Sequence, residues 1–480
     1  MLDTDLKSAK LSDRFFYFSS ILFILSFYCS HLSFAAFLGF LFFYDKKPAL
    51  KLTFFSFFPF VAFLYSGIFK SLFIYYGLNF FISLILFLIL VSYHFVYIFL
   101  AVYINKKLKL GIIFLPFLFI TFEFIKSNLF YGLPLGNFNL LVWNIPIFIK
   151  SASYFGPYFV GLELIFANIA LYMLLKKDMK FILPLVFVVL FLFLPTNNPK
   201  YSFTKTISIV QGGIPQNEKW ESKFLNRNLN IYIRATKNLK SDVVFWPESA
   251  YPYIFEKSNN PLIGFMKNKK FGLISGVVRE KKTQYFNSVV FIKGKKLQFY
   301  NKQILVPFAE FLPLRSVIGN LVPKDMDPGD FSRGKRNVIF NDGRLKIGPM
   351  ICYEEAFSSI SRKYKNEGAN LLAVLTNDAW FSKTPTFYLL GRNAVFRAVE
   401  NAVWVVRVAN NGISEIIAPN GKIIARLKAY KKDVLTKKVK ITASDKTPFD
   451  KGGYLFPIVL IAFVSLSIFY RKYTIRKSRV

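Results

Sequence analysis

Cys352 is the only cysteine in a polar stretch of about 250 residues that contains no histidine at all. Its surroundings, Gly348-Pro-Met-Ile-Cys-Tyr-Glu-Glu355, read as an apolar strand breaking into an acidic, helix-like stretch that runs to Gly368. A thiol at such a turn meets the positive end of a helix dipole, which favours the thiolate and nucleophilic attack. Its base cannot be a histidine. A lone cysteine is also commonly a small core residue, so the neighbourhood must decide between the two readings.

Two further groups fall where strand-like runs end. Glu248 follows Val243-Val-Phe-Trp-Pro, and Lys302 follows Gln298-Phe-Tyr-Asn. Open sheets place their chemistry at such strand ends. Acyl transfer to a thiol needs a base, and a carboxyl group among apolar neighbours such as Phe245 and Trp246 can serve. The tetrahedral intermediate carries a new negative oxygen, which Lys302 and the main-chain N–H of Tyr353 could stabilise.

These residues need a layered scaffold. The pattern predicts strands at 206–211, 243–246, 271–278, 287–293, 296–301, 336–340, 345–351, 371–376, 403–409 and 413–418. Helices are expected at 221–239, 355–367 and 386–402. This alternation describes an α/β domain with a mixed sheet, long enough for one sizeable core.

The rest of the chain is of another kind. Apolar residues make up 54% of it, with 59 phenylalanines and a mean hydropathy of +0.37, which points to a membrane. Apolar runs near 15–30, 32–44, 53–69, 77–104, 111–125, 154–175, 180–195 and 454–470 are the candidate spans. Lys46, Lys47 and Lys51 follow the second; Lys106, Lys107 and Lys109 the fourth; Lys176, Lys177 and Lys180 the sixth; Arg471 and Lys472 the eighth. By the positive-inside rule both termini are cytoplasmic and residues 196–453 lie on the other side. The first run, preceded by Lys7, Lys10 and Arg14 with no small-residue cleavage site after it, reads as an uncleaved anchor. The expected organisation is therefore a transmembrane domain over 1–195, an extracytoplasmic catalytic domain over 196–453, and a last span with a basic tail over 454–480.

Two cysteines, with Cys29 inside an apolar run, cannot form a disulfide framework. The net charge of +36 is spread over cytoplasmic loops and the polar domain rather than gathered in one stripe. It suits an anionic lipid surface better than nucleic acid, which is not expected as a partner. His31 and His94 lie in or beside apolar runs without ligand partners, so no metal or cofactor is expected.

Trp246-Pro-Glu248, Tyr300-Asn-Lys302 with Val306-Pro-Phe-Ala-Glu310-Phe-Leu-Pro313, Ile351-Cys352-Tyr-Glu354 and Asn377-Asp-Ala-Trp-Phe381 together resemble the nitrilase superfamily. Flanked by these spans, they are similar to the apolipoprotein N-acyltransferase family. The resemblance implies an αββα sandwich on about eight transmembrane helices in a bacterial inner membrane, facing the periplasm. It also implies an activity: an acyl chain passes from a glycerophospholipid through a cysteine thioester to the α-amino group of a diacylglyceryl-cysteine on an apolipoprotein. Carried over by motif, Cys352 is the nucleophile, Glu248 the general base and Lys302 the oxyanion stabiliser. Glu310 and Glu354 are expected beside this triad, and Tyr353, Trp220 and Trp380 on its rim, the tryptophans on mobile loops. Two positions depart from the family pattern: Ala309 stands where glycine is usual, and no histidine follows Phe381 closely. A membrane-tethered nitrilase-type hydrolase and a non-enzymatic transporter or receptor remain as alternatives, and a monomer is the default state.

Glu123 and Lys126, at i and i+3 near the end of the fifth run, read either as a loop-shaping pair or as simple helix-end pairing. Arg392 and Arg397 read as scaffold.

Overall fold

The computed structural model describes residues 16–28, 32–33, 35–44, 50–197, 199–258, 260–318, 330–443 and 445–477; Cys29 and His31 lie outside them. The chain divides into two compact units. One takes the described residues up to Phe69, then Asn79–Asn197, and those from Lys451 onward; the other takes Lys70–Leu78 and Asn198–Asp450.

The first unit is helical. Each of the eight apolar runs contains an α-helix: Phe16–Tyr28, Ala35–Tyr44, Leu50–Lys70, Phe80–Leu108, Leu115–Asn128, Pro157–Leu175, Ile182–Leu192 and Leu455–Lys477. Crossing a bilayer takes about 20 apolar residues. Four of the helices are long and apolar enough: Leu50–Tyr75, counting its terminal π-turn, Phe80–Leu108, Pro157–Leu175 and Leu455–Lys477. Asn79 starts the longest of them, its side chain accepting from Ile82 N at 2.9 Å to satisfy a donor that helix geometry leaves over. The phenylalanines pack ring on ring, as where Phe159 meets Phe155 at 4.5 Å, Phe191 at 4.6 Å and Phe456 at 5.0 Å between centroids.

Two buried charges inside this unit are held by hydrogen bonds. Glu123 accepts from Phe138 N at 2.6 Å, and Lys126 donates to Leu135 O at 2.8 Å and to Asn137 Oδ1 at 2.9 Å. Both residues thus clamp the loop that follows their helix. His94, read as a structural residue without metal-ligand partners, has Tyr65 Oη 2.8 Å from Nδ1 and Lys126 Nζ 3.4 Å from Nε2. The sequence spacing hid this, because 32 residues separate His94 from Lys126.

The second unit holds two six-stranded mixed sheets. The first runs β12-β1-β2-β3-β4-β5 and the second β11-β10-β9-β8-β7-β6. The strands are β1 Tyr201–Gln211, β2 Val243–Phe245, β3 Gly272–Lys281, β4 Gln284–Lys293, β5 Lys296–Asn301, β6 Phe340–Asp342, β7 Leu345–Ile351, β8 Leu371–Thr376, β9 Trp404–Ala409, β10 Glu415–Ile417, β11 Ile423–Arg426 and β12 Asp433–Thr442. Strands β1, β2 and β3 are parallel, as are β7, β8 and β9. The sheets meet through β1 against β9 and β4 against β7. Outside the first sheet, helices Leu225–Thr236 and Pro261–Met266 bury Leu229, Tyr232, Leu262 and Met266 against Val244, Trp246 and Leu273. Outside the second, Ser358–Asn366 packs on β7 and Pro385–Glu400 on β9 and β10. The order of layers is helix, sheet, sheet, helix.

Three expectations need correction. The strand expected at 336–340 is the short edge strand β6, three residues further on. Strands β11 and β12 went unread, since Lys437, Lys438 and Lys440 make β12 look like a solvated loop; on an edge strand such lysines discourage pairing with another chain. The helix expected over 355–367 begins three residues late, as Ser358–Asn366, after a 3-10 turn, Cys352–Ala356, and extended Phe357.

Candidate active site

Glu248, Lys302 and Cys352 all leave the carboxyl ends of their strands on the same side of the sandwich. Parallel pairing of Ile351 with Leu375 sets Cys352 beside Thr376, whose side chain bonds to it. Cys352 has φ +50°, left-handed for a residue with a Cβ; the residue as a whole is half-buried, but its thiol is enclosed by protein. Such strain concentrates where a side chain must be aimed. The turn after it has only five residues, so the helix dipole expected from the sequence is too short to act on the thiol.

Charged neighbours act on the thiol in its place. Burial and then Glu248's charge hold the Cys352 thiol well above the usual cysteine range, while Lys302 opposes them. For Lys302 burial disfavours the charge, but Glu310, Glu248 and Cys352 outweigh it and keep the ammonium protonated above the ordinary lysine value. The three sequence-identified groups therefore lie within electrostatic reach of one another. Lys302 Nζ sits 2.8 Å from Glu310 Oε2, and its main chain is tied down by Asn287 O at 2.9 Å and Gly334 N at 2.7 Å.

Glu248 is aimed by two donors. Asn287 Nδ2 donates to Oε1 at 2.8 Å and Asn377 N to Oε2 at 2.9 Å. The same Asn287 amide nitrogen donates to Glu310 Oε1 at 2.8 Å, so it bridges both carboxylates. Asn287 was missed from the sequence because it lies mid-strand on β4; its only signal is a polar residue where an apolar one would be expected. The Glu248 loop also needs Gly276, where a Cβ would come within 2.3 Å of Ser249 N and 2.6 Å of Glu248 Cα. Gly276→Ala should therefore lose about 2 kcal/mol of stability through overpacking, seen as a lower melting temperature together with weakened activity.

Glu354 would be a surface charge by composition alone, yet it is fully buried. It accepts from Tyr300 Oη at 2.7 Å, Gln303 N at 2.6 Å, Ile304 N at 3.1 Å and Ile351 N at 2.8 Å. This one carboxylate fastens the Lys302 loop to the Cys352 strand. Glu355, next to it, takes both arms of Arg407, at 3.0 and 2.9 Å. Arg407 also holds Asp378 at 2.9 and 3.1 Å and donates to Ile413 O at 2.8 Å. Arg407 was not singled out in the sequence, being an arginine inside an otherwise apolar strand.

The rim residues are only partly gathered. Tyr353 is buried, with its ring edge-on to Phe357 at 5.1 Å. Trp380 stacks on Tyr76 at 5.6 Å and 24°, with Tyr75 edge-on at 5.8 Å. Tyr76 in turn lies within electrostatic range of Glu310. Trp220 is 47% exposed, and its closest charged neighbour is Lys219 Nζ, 5.9 Å from the ring centroid. Arg397 is scaffold, donating to Glu355 O at 3.2 Å and Glu400 Oε2 at 2.9 Å.

A double-sheet α/β sandwich with cysteine, carboxylate and lysine at its strand ends defines a class, and by the family profile matched over residues 206–448 the chain belongs to the carbon-nitrogen hydrolase family. Residues 19–170 match a second profile, the apolipoprotein N-acyltransferase N-terminal domain. Among curated relatives, the apolipoprotein N-acyltransferase of Wigglesworthia glossinidia brevipalpis is 29% identical over 82% of this chain and 83% of its own length. That of Geobacter metallireducens is 28% identical over 72% and 71%. The Azotobacter vinelandii enzyme of the same name is 33% identical over 48% and 46%.

Proposed function

We propose that this chain is an N-acyltransferase that matures lipoproteins, moving an acyl chain from a glycerophospholipid to the α-amino group of a diacylated N-terminal cysteine. The observation that carries the reading is a thiol facing a carboxylate and a lysine within a chain that also matches the N-terminal membrane domain of this family. Donor and acceptor both reside in a bilayer, which explains why the catalytic unit shares its chain with apolar helices. All eight helices are taken as spans, the catalytic unit faces the periplasm of a bacterial inner membrane, and the basic loops and both termini are cytoplasmic.

Glu248 takes the proton from Cys352, and the thiolate attacks the carbonyl carbon of the sn-1 ester. The oxyanion faces Lys302 and the main-chain N–H of Tyr353. Collapse breaks the ester C–O bond, Glu248 returns the proton to the departing glycerol oxygen, and lysophospholipid leaves a thioester on Cys352. A neutral α-amine then attacks the thioester; Glu248 accepts its proton, the C–S bond breaks, and an amide remains. Kinetics should be ping-pong. Glu310 holds Lys302, Glu354 holds the two loops together, and Trp220 and Trp380 contact substrate at the rim.

The reading is tested by incubating purified protein with phospholipid and a diacylated lipopeptide. Amide-linked third chain on the lipopeptide is the expected product; free fatty acid with no transfer would make the protein a hydrolase instead. Lys302→Met removes the cation that Glu310 and Glu248 share, so thioester formation should slow by roughly 10²-fold, with about 3 kcal/mol less stability from the unpaired carboxylates. Single-turnover mass spectrometry and thermal melting read the two effects separately.

A further inference from the structure

Lys219 is a buried lysine that the mechanism above does not use. Its neighbours Trp220 and Glu221 are exposed, yet Lys219 itself is 3% exposed. The segment carrying it is anchored at several points. Ile214 N donates to Asn410 Oδ1 at 3.1 Å, Gln216 Oε1 accepts from Asn377 Nδ2 at 2.7 Å, and Asn228 Nδ2 donates to Glu218 O at 3.1 Å and Lys219 O at 3.4 Å. Asn377 also donates its main-chain N–H to Glu248, so the Lys219 segment and the catalytic carboxylate share one positioning residue.

The Lys219 side chain runs inward and donates from Nζ to the main-chain oxygen of Glu248 at 2.9 Å. Among the described residues that is the one hydrogen-bond acceptor recorded for an ammonium with three donors, and no carboxylate pairs with it. A buried lysine is normally neutralised by a partner or held for a purpose. The charges that act on it are Glu248 and Cys352.

Charge in the pocket explains why a second cation belongs there. Glu248 and Glu310 carry two negative charges against Lys302's single positive one, while Asp378 is already matched by Arg407. In the substrate-free site, when the proton leaves for solvent rather than for Glu248, ionising Cys352 adds another negative charge to this set.

We propose that Lys219 is a positioning residue of the acyl-transfer site: it fixes the backbone at Glu248 and supplies the second positive charge that lets Cys352 ionise beside two carboxylates. This rests on the function proposed above and names a group that reaction needs. Burial lowers the Lys219 pKa to about 8, while Glu248 and then Cys352 pull it upward. The cation is therefore present at neutral pH and fades above it. The groups facing Cys352 are Glu248, Lys302 and Asp378, with Thr376 as hydrogen-bond partner; those facing Lys219 are Glu248 and Cys352. Removing Lys219 leaves only Lys302 to oppose the carboxylates.

The test follows alkylation of Cys352 by iodoacetamide against pH, in the full chain without substrate, with the modified residue located by mass spectrometry. Lys219→Gln keeps a donor for Glu248 O but removes the charge. It should slow labelling at pH 7 roughly tenfold, a gap that closes above pH 8 as the wild-type Lys219 loses its own charge, whereas Lys219→Arg should track the wild type at pH 7. Lys219→Met should show the same slowing plus a lower melting temperature. A Lys219→Gln labelling profile that overlays the wild type would overturn the proposal, as would a change in melting temperature alone. Because the readout needs no acyl donor, it stands apart from acyl transfer: a labelling shift in a protein that transfers no acyl chain would overturn the proposed function and leave the Lys219 role intact.

Discussion

Cys352→Ala should form no thioester with phospholipid and acylate no lipopeptide, while melting within about 1 kcal/mol of the wild type. Loss of activity is complete because the described residues put no second thiol near Glu248 and Lys302. Stability survives for two physical reasons. Alanine also has a Cβ, so the left-handed backbone at φ +50° costs it no more than cysteine. The resting thiol, held well above the usual cysteine range by burial and by Glu248, is neutral at neutral pH, so its removal leaves no buried charge unpaired. Mass spectrometry of the protein after incubation with phospholipid checks the first half, and a thermal melt the second. An acyl adduct that persists in Cys352→Ala would sink the mechanism.

Glu248→Gln should slow thioester formation by roughly 10³-fold, within the range a general base contributes. The change is isosteric, yet the surroundings reject it. Both Glu248 oxygens accept from nitrogen donors, Asn287 Nδ2 and Asn377 N. A glutamine must set its own NH₂ against one of them. The Asn377 donor is main chain and cannot turn. Asn287 could present Oδ1 instead, but that would aim an oxygen at Glu310 Oε1, to which its nitrogen now donates. One hydrogen bond is lost whichever way the amides settle, about 1–2 kcal/mol of stability. Single-turnover assays measure the rate; a Glu248→Gln protein within tenfold of the wild type would remove Glu248 from its role as base. Protonation of Glu248 is also what frees Cys352 to ionise, because the Glu248 charge is among the forces holding the thiol neutral. Base and nucleophile are thus two ends of one proton transfer.

The three groups proposed for the chemistry were legible because polar residues at strand ends leave a local mark. Apolar runs ending in Pro247-Glu248, Asn301-Lys302 and Ile351-Cys352 are visible within six or seven residues each. The apolar helices were legible for the same reason, since a run of Phe, Leu and Ile is its own signal, and four of them are long enough to cross a bilayer. Nothing local marks the groups that hold the site. Asn287 meets Glu248 across 39 positions, and Arg407 meets Glu355 across 52. A mid-strand Asn or Arg looks like an interruption until the sheets are stacked. Without its motif Glu354 would read as a surface charge for the same reason, and the expected helix after Cys352 starts only at Ser358 because Glu354 and Glu355 both turn inward to partners far along the chain.

The amino-acid order by itself settled which groups are chemically able: a thiol, a carboxylate and an amine at strand ends, in a chain with enough continuous apolar length to enter a bilayer. Folding decided what those groups can do. Only the tertiary structure made Lys302 a cation shared by two carboxylates, raised the thiol's pKa, buried Glu354 as a fastening and turned Lys219 inward. Strand and span patterns repeat over a few residues and can be read in one dimension. Hydrogen-bond geometry and the energy of a buried charge depend on what approaches from elsewhere in the chain, and that is set when the two sheets pack.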